Sequence, residues 1–134
     1  MDMKLELVAV PVSDVDRAKD FYVRVGFHAD HDHTVSDDVR FVQLTPPGSS
    51  CSIAIGNGLT ELAPGSLDNL QMVVADAAES RAELVGRGVA VSEVDEQPWG
   101  RFVHFADPDG NRWALQELPA WSTGAGGDGV NPDA

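Results

Sequence analysis

From Leu5 to Val12 the chain is rich in aliphatic and β-branched residues, and then its period changes. Val15, Ala18, Phe21, Tyr22 and Val25 recur at three- and four-residue spacing, the pattern that turns one face of a helix toward a sheet. The switch falls at Ser13-Asp14, whose short polar side chains can accept the unpaired N–H groups of a first helical turn. Gly26 supplies the stop, because a glycine takes the left-handed conformation just past a helix at little cost. A strand over 5–12 and a helix ending at Gly26 follow. Further β-like runs at 27–35, 38–45 and 51–56 are separated by Pro, Gly, Asp and Ser turns.

The same order then returns. VPVSDVDRAKDFYVRVGF (10–27) aligns without a gap on MVVADAAESRAELVGRGV (72–89), an offset of 62, and at that offset TPPGSSCSI (45–53) lies over DPDGNRWAL (107–115). A second helix is expected over Ala77–Arg87, opened by the Asp76-x-x-Glu79 capping pattern and stopped by Gly88, with strands over 89–95, 101–106 and 111–118. The chain therefore reads as an α+β protein of two tandem βαβββ modules, 4–56 and 67–118, joined by a linker over 57–66 that contains Gly58, Pro64 and Gly65. Residues 1–120 form one domain in this reading, and the Gly-rich acidic tail over 121–134 is expected to be flexible.

Composition narrows the functional classes. A formal charge of −13, from 9 basic and 22 acidic side chains, repels phosphate backbones and argues against nucleic acid as a partner. No apolar run approaches the roughly 20 residues that span a bilayer, so a membrane partner is not expected. One cysteine, Cys51, cannot form an intrachain disulfide, and no basic-then-apolar leader opens the sequence; a cytoplasmic location is the expectation.

The repeat, the V-x-D that opens each helix, the Phe21-Tyr22 pair and the Asp107-Pro108-Asp109-Gly110-Asn111 turn resemble the vicinal oxygen chelate superfamily, which includes glyoxalase I, extradiol dioxygenases and the fosfomycin- and bleomycin-resistance proteins. The resemblance implies that the eight strands curl into an incomplete barrel around a ligand cavity. It also implies that metal-dependent members place His or Glu on the first and last strand of each module. Carried onto this chain, those positions are Leu7, Ser52, Asn69 and Ala114. Leucine and alanine cannot coordinate, and serine and asparagine are poor ligands for a transition metal, so no metal and no cofactor are expected.

Strand parity directs Leu5, Leu7 and Ala9 to the cavity side, together with Asn69, Gln71 and Val73, and with Arg112, Ala114 and Gln116. Apolar walls with a few amides and one cation suit a small organic ligand. Trp99, in the loop QPWGR, is placed to cap the mouth or stack on a planar or cationic guest. The ligand-binding set is thus Leu7, Ser52, Asn69, Gln71, Trp99, Arg112, Ala114 and Gln116. In FHADHDH (27–33), His31 and His33 share one strand face, and Asp30 and Asp32 are expected to share the other. The leading expectation is sequestration of an antibiotic or other metabolite in a metal-free cavity, as in bleomycin-resistance proteins. An alternative is an enzyme on this scaffold, a lyase, isomerase, cyclase or dioxygenase, either cofactor-free or with a metal at unusual positions. His104 or Glu117 would then move a proton and Arg112 would stabilise negative charge. The resemblance also implies a homodimer.

Overall fold

The computed structural model describes residues 1–123. Residues 124–134, most of the expected tail, lie outside the described residues. The order of elements is β1 (Leu7–Ala9), α1 (Val15–Val25), β2 (His28–Ser36), β3 (Val39–Thr45) and β4 (Ser52–Asn57), then β5 (Leu70–Val74), α2 (Ala77–Gly86), β6 (Asp95–Gln97), β7 (Gly100–Ala106), β8 (Arg112–Glu117) and a short α3 (Ala120–Thr123). Each half builds its own four-stranded sheet, β1-β4-β3-β2 and β5-β8-β7-β6, with a parallel pair on one side and antiparallel pairs elsewhere. Two compact units result, one of residues 1–68 with 106–112 and the other of 69–105 with 113 onward. Among the described residues, no helix is long and apolar enough to cross a membrane.

In the first unit, α1 starts where Asp14 accepts the Arg17 N–H at 3.1 Å, a cap worth about 1 kcal/mol, and ends at Gly26 with φ of 127°. Its Val15, Ala18 and Tyr22 pack with Val10, Val42, Leu44, Ile53 and Ile55, all buried. This settles which sheet face meets the helix. Strand β1 is shorter than the apolar run. Ser52 N–H to Glu6 C=O and Val10 N–H to Ala54 C=O still extend its ladder, and Pro11, which has no N–H, ends it.

The turn 107–111 belongs to this first unit. Asp107, 4% exposed, accepts the Tyr22 hydroxyl at 2.7 Å and Asn111 Nδ2 at 2.8 Å on one oxygen, and the N–H groups of Asp109 and Asn111 on the other. Asn111, wholly buried, also donates Nδ2 to Pro11 C=O at 2.8 Å and accepts the Leu67 N–H at 3.1 Å. Pro108 and Gly110 occupy the turn positions that favour a fixed φ and the absence of a side chain. On the helix side of β2, Asp32 is gripped by Arg40 through Nε at 3.0 Å and Nη2 at 2.9 Å and by Lys19 at 2.8 Å, while Arg40 reaches Asp16 at 2.8 Å. Hydrogen bonds from Arg40 first and Lys19 second hold the Asp32 carboxyl far below the usual carboxylate range.

In the second unit, Asp76 accepts the Glu79 N–H at 2.9 Å, and α2 runs Ala77–Gly86. Strand β6 departs from expectation. It occupies Asp95–Gln97, where it pairs with Gly100–Phe102 across a tight turn, rather than 89–95. Val89 is tied to the helix end through its N–H to Leu84 C=O, and Ser92 pairs with His104 by using its hydroxyl, not its carbonyl, to accept the His104 N–H. That substitution interrupts a continuous ladder.

Two outcomes check this account. Tyr22→Phe removes a donor to a buried carboxylate and should lower unfolding free energy by about 1.5–3 kcal/mol in urea, with Asp107→Ala costing more because it removes at once the acceptor of the Tyr22 hydroxyl, of an Asn111 amide hydrogen and of two backbone N–H groups. For Asp32, the folded pKa is depressed, so its contribution is present above the unfolded value near 4 and is lost as pH falls toward the folded one. The stability gap between the wild type and Asp32→Asn should therefore be full at pH 7 and shrink progressively below about pH 4.

Candidate functional site

Each sheet has one face against its helix and one turned away. In the first unit the register sets Leu7 beside Ser52, Ala9 beside Ala54, Gln43 between Ala54 and His31, and Phe41 between Gly56 and His33. Because Val42, Leu44, Ile53 and Ile55 face α1, these residues form the open face. Leu7 is 38% exposed and Ser52 only 5%. Gln43, Thr45 and Phe41 were not among the predicted site residues, although alternation with the buried Val42 and Leu44 is the signal that could have found them.

A chain of polar contacts runs across this face. His28 Nδ1 lies 2.7 Å from Asp30, Thr45 Oγ1 donates to Asp30, Thr45 and Ser52 hydroxyls are 2.6 Å apart, and Gln43 Nε2 donates to Ser52 at 3.3 Å. Hydrogen bonds from Thr45 first, and then His28, lower the Asp30 pKa. The expectation that Asp30 and Asp32 share a face is corrected here. The strand register shifts between Ala29 and His31, so Asp30 is a bulged residue that turns to Thr45 while Asp32 turns to Lys19 and Arg40. His31 and His33 do share the open face, their rings stacked 5.8 Å apart.

In the second unit Glu117 accepts the Ala77 N–H at 2.9 Å, which identifies the helix side of β8 as that of Trp113, Leu115 and Glu117. The open face therefore carries Ala114 and Gln116, with Gln71 beside Ala114 and Val73 beside Gln116. The repeat offset would have put Asn69 beside Ala114. The register is displaced by two residues. Just before β5, Leu67 is held both by the Asn111 side chain and by the Arg112 N–H, contacts without a counterpart at Ser49, the repeat position of Asn111. Parity survives the shift, so Gln71 takes the place expected of Asn69, which lies exposed just before β5. Gln71 Nε2 donates to Gln116 Oε1 at 2.6 Å, and Gln116 Nε2 donates to Trp99 C=O at 2.9 Å. Trp99 itself is 57% exposed. Gly100 permits this approach: its φ is +146°, and a Cβ there would lie 2.6 Å from Glu117 C=O.

The residues considered for chemistry divide: His104 lies on the open side of its strand, whereas Glu117 lies on the helix side. Arg112 pairs with Asp68 at 2.8 Å on the surface of the first unit. Glu117 caps α2 and lies 3.4 Å from Arg101, so its carboxylate already serves the fold. His104 is exposed and stacked on Phe102 with centroids 6.2 Å apart, on the side of β7 opposite to the Phe105 that stacks on Trp113. A surface depression of about 480 Å³ lies at the ends of β5 and β8, lined by Val73, Val74, Ala75, Glu117, Leu118 and Ala120. It opens at the ends of the strands, whereas the amides gather on their open face.

A metal of the kind the resemblance associates with this scaffold does not fit the side chains here. Leu7 and Ala114 offer no donor atom, and the Ser52 hydroxyl is already paired with Thr45 and Gln43. Among the described residues no group of three or more His, Cys, Asp or Glu side chains gathers into a metal-binding cluster.

Comparison with known proteins agrees with this architecture. The structure is similar to that of TnmS3, an antibiotic binding protein from Streptomyces sp. CB03234, at 38% identity and a TM-score of 0.80, covering 88% of this chain and 98% of that one. It is also similar to a glyoxalase/bleomycin resistance protein from Streptomyces sp. CB03234, at 39% identity and a TM-score of 0.74, covering 84% and 99%. The uncharacterized protein YetH of Bacillus subtilis (strain 168) is 28% identical over 122 residues, 87% of this chain and all of YetH. Residues 4–115 match the family profile that spans both βαβββ modules, and the chain belongs to the Glyoxalase/Bleomycin resistance protein/Dioxygenase superfamily.

Proposed function

We propose that this protein binds a small organic molecule, of the antibiotic or natural-product class, and holds it without altering it and without a metal. The observation that carries the reading is the composition of the open faces. The positions that would have to supply metal donors are Leu7, Ser52, Gln71 and Ala114, side chains suited to contact and hydrogen bonding. Similarity to an antibiotic binding protein at 38% identity supports it. The exposed Trp99 indole offers a stacking surface, and the charge of −13 favours a cationic guest over an anionic one.

This reading includes residues 1–120 as one working domain, a cytoplasmic protein and a homodimer, for which light scattering should return twice the 14.3 kDa chain mass. An enzymatic role for His104 or Arg112 is the competing outcome, and the same experiment exposes it.

Elemental analysis of the purified full chain, after exposure to zinc, nickel, cobalt and iron(II) followed by desalting, should find no stoichiometric metal. One tightly held ion per chain would overturn the metal-free reading. In a calorimetric screen of polycyclic and cationic antibiotics, bleomycin included, a bound compound should be recovered unchanged by mass spectrometry. Trp99→Ala should weaken binding about three- to tenfold, the loss of one stacking contact. A chemically altered product would instead establish catalysis.

A further inference from the structure

Strand β2 is the outermost strand of its sheet and pairs within that sheet with β3 alone. Its pleat sorts the side chains that follow the bulge at Asp30. Asp32 turns to the helix side, where Arg40 and Lys19 hold it, and His31 and His33 turn to the open face beside Gln43 and Phe41. Both histidines are exposed. Their rings lie 5.8 Å apart with 21° between the planes, and among the described residues neither ring makes a hydrogen bond. Two imidazoles thus stand side by side with their nitrogens uncommitted.

Charge makes the same surface receptive to a cation. The cationic side chains that approach β2, Lys19 and Arg40, lie on its other side, engaged with Asp32 and Asp16. On the histidine side the titratable neighbours are Asp30 and His28, which meet each other at 2.7 Å. The chain as a whole carries a charge of −13, and such a field concentrates cations at the surface. Imidazole nitrogen is a good donor for divalent copper, nickel and zinc, at about 2.0–2.1 Å for zinc, so two such donors on one ion lie roughly 3 Å apart. The rings reach that spacing by leaning together at their tips, a rotation about χ1 and χ2 that breaks no hydrogen bond.

We propose that His31 and His33 form a two-imidazole chelate for a divalent transition metal of the copper, nickel or zinc type, with water completing the coordination. The strand keeps both donors on one face, so once one imidazole has bound, the second acts at high effective concentration. Two protein donors release their ion when free metal is removed, so the desalted protein carries none. The chelate uses none of Leu7, Ser52, Gln71 and Ala114, and its failure leaves the organic-guest reading untouched.

The probe is nickel(II) alone, titrated calorimetrically into the tag-free full chain at neutral pH in a buffer that does not bind metals. One ion per chain should bind, and His31→Ala and His33→Ala should each weaken it about tenfold or more, through loss of the second donor. His28→Ala should leave the affinity unchanged. Paramagnetic nickel should also broaden the ring-proton NMR signals of His31 and His33 ahead of those of His28 and His104. That broadening is read on the unmutated protein, so it decides even where a variant fails to fold. Absence of binding, binding that survives both substitutions, a loss confined to one of them, or broadening that begins at another histidine would overturn the chelate.

Discussion

Asp107 is a carboxylate removed from water, and the donors that satisfy it come from separate stretches of chain in the first unit. The Tyr22 hydroxyl arrives from the middle of α1, the Asn111 amide and two backbone N–H groups from the turn that Asp107 itself begins. Asn111 passes the constraint on to Pro11, where β1 ends, and to Leu67, just before β5. A buried carboxyl group left short of one of these donors would cost about 1.5–3 kcal/mol, so the segments that supply them are coupled. The position of α1 on its sheet and the path of the chain into β5 both follow from that condition.

One consequence is local and unequal. The two modules share a sequence pattern at an offset of 62, yet β1 meets β4 with Leu7 beside Ser52 while β5 meets β8 with Gln71 beside Ala114. Asn111 has Ser49 as its repeat counterpart, and the Ser49 hydroxyl is turned to the Cys51 backbone two residues on rather than to a distant segment. A two-residue displacement preserves which face each side chain occupies, whereas a one-residue displacement would have inverted it. Hydrophobic alternation resists only the second kind, so the internal symmetry of the sequence was a sound guide to faces and a poor one to partners.

The same distinction explains how much could be read beforehand. Both helices, their Asp caps and the strands at 28–36, 39–45, 52–57, 100–106 and 112–117 were legible, because periodicity and turn residues report on local burial. Strand β6 was not, since Val89, Val91 and Val94 carry an apolar pattern, but the ladder is broken by the hydroxyl of Ser92, a choice of acceptor that no pattern displays. Asp30 and Asp32 look equivalent in FHADHDH, and only the bulge separates them. For the candidate site, the lack of donor atoms at Leu7 and Ala114 was plain from residue type alone. The amide chain through Gln71 and Gln116 depended on register, and its anchor on Trp99 depended on a main-chain carbonyl that sequence does not mark.

Several polar side chains that sequence would nominate for chemistry are already committed to the fold. Glu117 caps α2, and Ser52 closes a chain that begins at an exposed histidine. Such commitments remove groups from the list of free acids and bases, but they also have a positive effect. A hydroxyl whose single hydrogen is engaged shows only an acceptor on its other side, and a primary amide held at both of its polar atoms is fixed in sense although its nitrogen keeps a second hydrogen. Each chain has at its root an acceptor that can never donate, a carboxylate in one unit and a peptide carbonyl in the other, and that root sets the direction of every bond that follows.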